Sequence, residues 1–232
     1  MKALPAFALS MIFMGTAINT HASDNQLSEQ EQQQGWQLLF DGKSLSHWRN
    51  YQQQDISPKW QIQDNAITLT EGGAGDIVTR QQYNNFELKL DWKISEAGNS
   101  GIFFLADETG KYVFSHAPEI QIIDNEKHAD SKLDTHRSGS LYDMVAAPET
   151  AYKPAGEWNT VTISLNNDVL QVWQNGVMTV HIVMHSSTWD KLVAASKFAN
   201  WQGFAEQPQG HIGLQDHGDK VWFKNIKIRE LH

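Results

Sequence analysis

Apolar and polar residues alternate along this chain in short runs separated by turn formers. The clearest run is Phe86-Glu87-Leu88-Lys89-Leu90-Asp91-Trp92-Lys93-Ile94, whose apolar residues all fall on even positions. Successive side chains of a strand point to opposite faces, so this pattern predicts a strand with one face in a core. Comparable runs cover 36–40, 60–63, 66–70, 101–106, 119–123, 158–165, 169–174, 210–215 and 221–229. Asp41-Gly42 and Asp64-Asn65 punctuate them, while Asn166-Asn167-Asp168 and Asn175-Gly176 are hairpin-type turns. Many short period-two runs with such turns predict an all-β protein, an antiparallel sandwich or barrel. One segment has helical character: Ser187 or Thr188 is a candidate cap for a short helix carrying Trp189, Leu192, Val193 and Phe198. Residues 23–34 are polar and glutamine-rich and read as a tail or short helix leading into a single domain, 35–232.

The segment Pro118-Glu119-Ile120-Gln121-Ile122-Ile123-Asp124-Asn125 carries the strongest chemical signal. On a regular strand Glu119 and Gln121 share one face and Ile120 and Ile122 the other. Core packing has no use for a glutamate and a glutamine side by side, so their face is expected to line a cleft. Asp124 has the apolar parity. It either opens a turn with Asn125 or returns to the polar face through a bulge near Ile122-Ile123. The segment 210–218 repeats the pattern: Ile212 and Leu214 suit a core, while His211, Gly213, Gln215 and His217 share the opposite parity. His217, beside Asp216, is suited to act as a general base, a metal ligand or half of a structural pair. In Asn99-Ser100-Gly101-Ile102-Phe103-Phe104 the glycine is expected to leave room for a ligand, and Asn99 is a turn residue or a ligand contact. Arg137 and Tyr142 are suited to hold sugar hydroxyls or a carbonyl oxygen, with surface ion pairing the competing reading for this loop. Lys197 is solvated unless its loop folds over the cleft. His128 and Asp130 have a spacing unhelpful for a metal, and no phosphate loop, zinc spacing or Gly-x-Ser-x-Gly elbow occurs.

Composition narrows the partner. The formal charge of −9 argues against nucleic acid or an anionic membrane and is compatible with neutral ligands such as sugars. The chain has no cysteine, so packing must stabilise it, and nine tryptophans and ten phenylalanines are available for that. Residues 1–22 combine an early lysine, an apolar run and the small-residue end Thr20-His21-Ala22. This is a cleavable signal-peptide pattern and predicts a periplasmic or secreted protein. Its apolar run falls short of the roughly 20 residues of a membrane span.

Taken in order, several pieces resemble the 3-keto-disaccharide hydrolase family: Gly35-Trp36-Gln37-Leu38-Leu39-Phe40-Asp41-Gly42-Lys43-Ser44-Leu45, Asn99-Ser100-Gly101-Ile102, the 118–125 strand, His136-Arg137-Ser138-Gly139, Leu141-Tyr142-Asp143, Gly156-Glu157-Trp158-Asn159, Ser196-Lys197-Phe198 and Leu214-Gln215-Asp216-His217-Gly218. The resemblance implies a concanavalin-A-like jelly roll of two antiparallel sheets with a sugar cleft. It implies an exported enzyme acting on glycosides already oxidised to a ketone at sugar carbon 3. Carried onto this sequence, it points to Glu119, His217 and Asp124 as catalytic candidates. Asn99, Gln121, Arg137, Tyr142, Lys197, Gln215 and Asp216 are the substrate-binding candidates. No cofactor is implied with certainty; a divalent ion on Glu119, Asp124 or His217 is compatible with the chemistry. The Glu119, Gln121, Asp124 spacing is similar to the three-carboxylate pattern of jelly-roll β-glucanases, but Gln121 stands where the middle carboxylate would be. That substitution disfavours hydrolysis by a carboxylate pair and favours elimination across carbons 1 and 2, followed by hydration of the glucal. A non-catalytic sugar-binding module and an ordinary glycoside hydrolase are the alternatives.

Overall fold

The computed structural model describes residues 23–231, so the predicted signal peptide, 1–22, lies outside the described residues. The strands are β1 (Gln37–Leu38), β2 (Trp48–Asn50), β3 (Trp60–Gln63), β4 (Ala66–Leu69), β5 (Ile77–Thr79), β6 (Phe86–Ile94), β7 (Asn99–Ala106), β8 (Glu119–Ile123), β9 (Asn159–Asn166), β10 (Val169–Gln174), β11 (Val177–Val183), β12 (His211–Leu214) and β13 (Val221–Glu230). They form two antiparallel sheets. One has the order β11-β10-β9-β6-β13-β4-β3, with β1 also on β13, and the other the order β2-β5-β12-β7-β8. Of the sandwich and barrel that the period-two runs left open, this is the sandwich, and it is the two-sheet jelly roll that the family resemblance implies.

The first sheet follows its sequence pattern closely. Along β6 buried and half-buried residues alternate at every position. Phe86, Trp92 and Phe223 from this sheet and Trp48, Phe104 and Ile120 from the other are fully buried in one shared core. Both hairpin predictions hold: Asn167 and Asp168 have φ of 48° and 64°, and Asn175 and Gly176 of 50° and 80°. Two successive left-handed residues are what the tight hairpin turn requires.

The second sheet departs from a simple alternation, because β7 and β8 are buried at every residue. Their outer face is covered by long connections, and that covered face holds the cleft. Strands β2 and β5 were not legible in the sequence: three residues are too short for a period-two signal.

The predicted short helix is α2 (Ser187–Ala195), but its cap is Ser186 and not Ser187 or Thr188, which lie in its first turn: the Ser186 hydroxyl accepts from the Trp189 N–H at 3.2 Å. Phe198 lies beyond it, in a 3₁₀ turn, Lys197–Asn200. The polar segment forms a short helix, α1 (Glu29–Gln33), started by a Ser28/Glu31 capping box. It is a docked segment rather than a tail. The Asn25 and Asn225 backbone N–H groups each donate to the other residue's side-chain oxygen, at 2.6 and 2.8 Å, and Asn225 sits where the register of β13 shifts. No helix among the described residues is long and apolar enough to cross a membrane.

Candidate active site

A cleft of about 560 Å³ runs across the five-stranded sheet on the face turned away from the core. Each strand of that sheet supplies part of it, directly or through a flanking residue: Asn50 from β2, Asp76 just before β5, Gln215 just past β12, Asn99 from β7, and Glu119 and Gln121 from β8. The strand ends gather these groups because neighbours in an antiparallel sheet bring distant sequence positions side by side.

Glu119 lies at the floor and is 8 % exposed. With its nitrogen turned inward, the Gln121 amide donates to Glu119 Oε1 at 3.1 Å and to the Ser100 carbonyl at 3.0 Å. Glycine at 101 is required here, though for a reason the sequence reading missed. A Cβ at this position would lie 2.1 Å from Glu119 Oε1, so the space opened by Gly101 is taken by the glutamate and not by a ligand. Gly213 likewise makes room for Phe103, whose Cβ would be 3.1 Å from an added methyl group. Burial pushes the Glu119 carboxyl up to about 8. Desolvation is the largest cause; the Lys197 charge and the Gln215 amide oppose it without overcoming it, and Asp76 and Asp130 add to it.

Asp76 is the second perturbed acid in the cleft. Desolvation raises its carboxyl to about 7, with the nearby Asp216 charge contributing and a hydrogen bond from the Asp216 N–H opposing. That N–H donates to Asp76 Oδ1 at 2.8 Å. Asp216 lines the cleft too, but its carboxylate is committed to backbone: Oδ2 accepts from Ala74 and Gly75, and Oδ1 from Gly218. Its role is to hold the turn that presents Asp76.

Lys197 does fold over the cleft. Its Nζ stands 4.1 Å above the Tyr142 ring, and burial lowers its pKa, against the opposing pull of the Glu119 charge. The Lys197 N–H donates to Asp143 Oδ2 at 2.7 Å, which fixes the loop. Tyr142 donates through its hydroxyl to Asp130 Oδ2 at 3.1 Å, and burial raises the phenol pKa. Between Asp130 and Asp143 sits His136, with Nδ1 and Nε2 each 2.9 Å from a carboxylate oxygen. His136 therefore ties the Tyr142 and Lys197 supports into one unit.

Asn99 Oδ1 and Gln215 Oε1 are buried acceptors with no protein donor, and both residues line the cleft. Buried acceptors of this kind suit ligand hydroxyls. His217 reaches the rim, where it is exposed and meets His128 edge-on at 6.3 Å between ring centroids.

Two candidates fall elsewhere. Strands β7 and β8 pair in unbroken register from Asn99–Ile123 to Phe103–Glu119, so no bulge turns Asp124 to the cleft. Its Oδ2 accepts from the Ala97 N–H, and its Oδ1 from the Glu126 N–H and the Tyr152 hydroxyl, which closes a turn. Arg137 points outward to Glu149 and Asp134, both largely exposed. The 3₁₀ turn before it sends His136 inward instead. With Asp124 spent on its turn, Glu119, Asp124 and His217 do not form a metal-binding set, and among the described residues no three acids or histidines converge as ligands.

Residues 35–229 match the family model described as a 3-keto-alpha-glucoside-1,2-lyase-like domain. The chain belongs to this family. The 3-keto-disaccharide hydrolase of Bacteroides thetaiotaomicron is 36 % identical over 228 residues, spanning 85 % of this chain and 79 % of that protein. A candidate glycosyl hydrolase from Parabacteroides distasonis has a solved structure with TM-score 0.85 and 32 % identity, covering 90 % of this chain and all of the other. A second from the same organism gives TM-score 0.69 and 31 % identity over 84 % of this chain and 99 % of its own. The family makes this chain a carbohydrate-active enzyme that cleaves glycosidic bonds. Within the family domain, Asp76 and His136 escaped sequence reading. Asp76 follows Gly75 and precedes a three-residue strand, a weak signal; His136 is visible as a histidine with three aspartates, Asp130, Asp134 and Asp143, within seven residues.

Proposed function

We propose that the enzyme cleaves 3-keto-glycosides by elimination, with Glu119 as the base, and then hydrates the product. The observation that supports this most is the buried, pKa-raised glutamate on the cleft floor, hydrogen-bonded to the Gln121 amide, which stands where the three-carboxylate pattern has its middle acid. A ketone at carbon 3 acidifies the hydrogen on carbon 2. Glu119 takes that proton as the carbon 1–carbon 2 double bond forms and the bond from carbon 1 to the aglycone oxygen breaks. The leaving oxygen takes a proton from Asp76, giving the free alcohol and a 2-hydroxy-3-keto-glucal. Water then adds its hydroxyl to carbon 1 and a proton to carbon 2. The Lys197 ammonium and the cleft amides stabilise the enolate charge on the carbon 3 oxygen. A carboxylate lifted towards the working pH is a stronger base than a solvated one.

Incubation with a 3-keto-glucoside beside its unoxidised parent tests the reading. Release from the keto substrate alone is expected; release from the unoxidised glucoside, or from neither, overturns it. The base must be ionised and the acid protonated, so kcat/KM is expected to follow a narrow bell with limbs near pH 7 and 8, belonging to the coupled pair. In Lys197→Met the counter-charge that lowers the Glu119 pKa is gone. The falling limb near pH 8 should then move to higher pH, with kcat/KM down about 10²-fold; an unmoved limb would separate Lys197 from Glu119. We also propose export, supported by the leader pattern of residues 1–22. Sequencing of the extracytoplasmic protein should find an N-terminus at Ser23, and a protein retaining Met1 counts against it.

A further inference from the structure

The exposed aromatic residues Tyr112 and Phe114, 46 % and 37 % accessible, stand at the mouth of the cleft. Their rings stack at 5.0 Å with 11° between planes. Phe114 continues to Trp201 at 6.0 Å, and the Trp201 ring lies 5.7 Å from Lys197 Nζ. An aromatic edge therefore runs from the lysine beside the catalytic glutamate out to solvent. Exposed aromatic surface rimmed by polar groups marks a binding site.

The platform is braced from below. Gly110 takes hydrogen bonds on its carbonyl from the Tyr51 hydroxyl and the Gln52 amide, both 2.8 Å. His116 Nδ1 lies 2.8 Å from Asp107, and the His116 carbonyl accepts from the Ala205 N–H at 2.7 Å. That last bond ties the loop of Tyr112 and Phe114 to the loop of Trp201. Rings held this way lose little freedom when a ligand stacks on them.

We propose that Tyr112, Phe114 and Trp201 form the subsite for the second sugar ring of a 3-keto-disaccharide, the ring that leaves. The inference rests on the reading of the cleft as a 3-keto-glycoside site. A pyranose offers an apolar C–H face to the rings and hydroxyls at its edge. Gln53 and Lys111 line the same mouth and supply polar partners for those hydroxyls. The position fits a leaving group, since the platform begins where the catalytic groups end and opens outward.

The test compares kcat/KM of the wild type, Tyr112→Ala and Phe114→Ala on a 3-keto-disaccharide and on methyl 3-keto-glucoside, which lacks the second ring. Both changes lie on exposed loop positions. Loss of about tenfold on the disaccharide, carried by KM, with no loss on the methyl glycoside, is expected. Equal loss on both, or none on the disaccharide, overturns the subsite. A loss on nitrophenyl 3-keto-glucoside without one on the disaccharide also overturns it, because the platform would then serve flat aromatic aglycones. If the wild type turns over neither keto substrate, the functional reading fails separately. Calorimetric titration with the disaccharide then decides: about tenfold weaker binding in Phe114→Ala supports the subsite, and equal binding overturns it.

Discussion

Glu119→Gln is expected to lower kcat by about 10³-fold or more while raising the thermal midpoint. The activity loss follows from removing the proposed base for the carbon 2 proton, with KM little changed because the amide keeps the size of the carboxyl. The gain in stability follows from burial. The folded carboxyl holds its proton up to about pH 8, against an ordinary value of 4.5. Between those values the unfolded chain has lost a proton that the folded chain retains, so stability falls as pH rises through this window and is unaffected below it. The cost is on the order of 3 kcal/mol at pH 7. A neutral glutamine escapes it. The midpoint should rise by about 5–10 °C near pH 7–8 and converge with the wild type near pH 4. Wild-type turnover in the variant would remove Glu119 from the chemistry, and an unchanged or lower midpoint at pH 8 would show that the carboxylate carries no such strain.

Strained, buried acids of this kind are maintained for chemistry and not for the fold. The surrounding residues show how the strain is tolerated: Gln121 donates to the carboxylate and Gly101 leaves it space, while Lys197 arrives from a distant loop. The supporting unit Asp130–His136–Asp143 lies one shell further out and holds Tyr142 and Lys197 by hydrogen bonds of 2.7–3.1 Å.

How much of this was legible in the chain follows from how each residue is placed. Strand parity put Glu119 and Gln121 on one face, and the register of β7 and β8 agrees. The same parity, followed without an invoked bulge, would have kept Asp124 out of the cleft. Arg137 and His136 could not be told apart, because a 3₁₀ turn has no alternation from which to read direction. Asp76, Tyr112 and Phe114 lie on or beside elements of three residues, where periodicity carries no information. Their importance comes from long-range neighbours: Asp216 fixes Asp76 across 140 residues, and Ala205 fixes the loop of the aromatic platform.

Gly101→Ala is expected to cost about 10²-fold in kcat/KM while the protein still folds. The backbone at Gly101 is ordinary extended strand within β7, and alanine is tolerated there better than glycine. The conflict is with one side chain: the new Cβ would stand 2.1 Å from Oε1, 2.7 Å from Cδ and 2.9 Å from Cγ of Glu119. A glutamate can rotate away from such a clash at little cost, so the fold survives, but the carboxylate leaves the position from which it reaches carbon 2. A displaced carboxylate also gains water, which lowers its pKa towards the ordinary range. The limb of the rate profile near pH 8 should therefore move to lower pH in whatever activity remains. Glu119→Gln removes the base and leaves its position filled; Gly101→Ala keeps the base and moves it. If both variants lose activity but only Gly101→Ala leaves a measurable limb, shifted downward, then the placement and the basicity of Glu119 are both required. Full activity with an unshifted limb in Gly101→Ala would mean that the glutamate works from another position than the one beside Gly101.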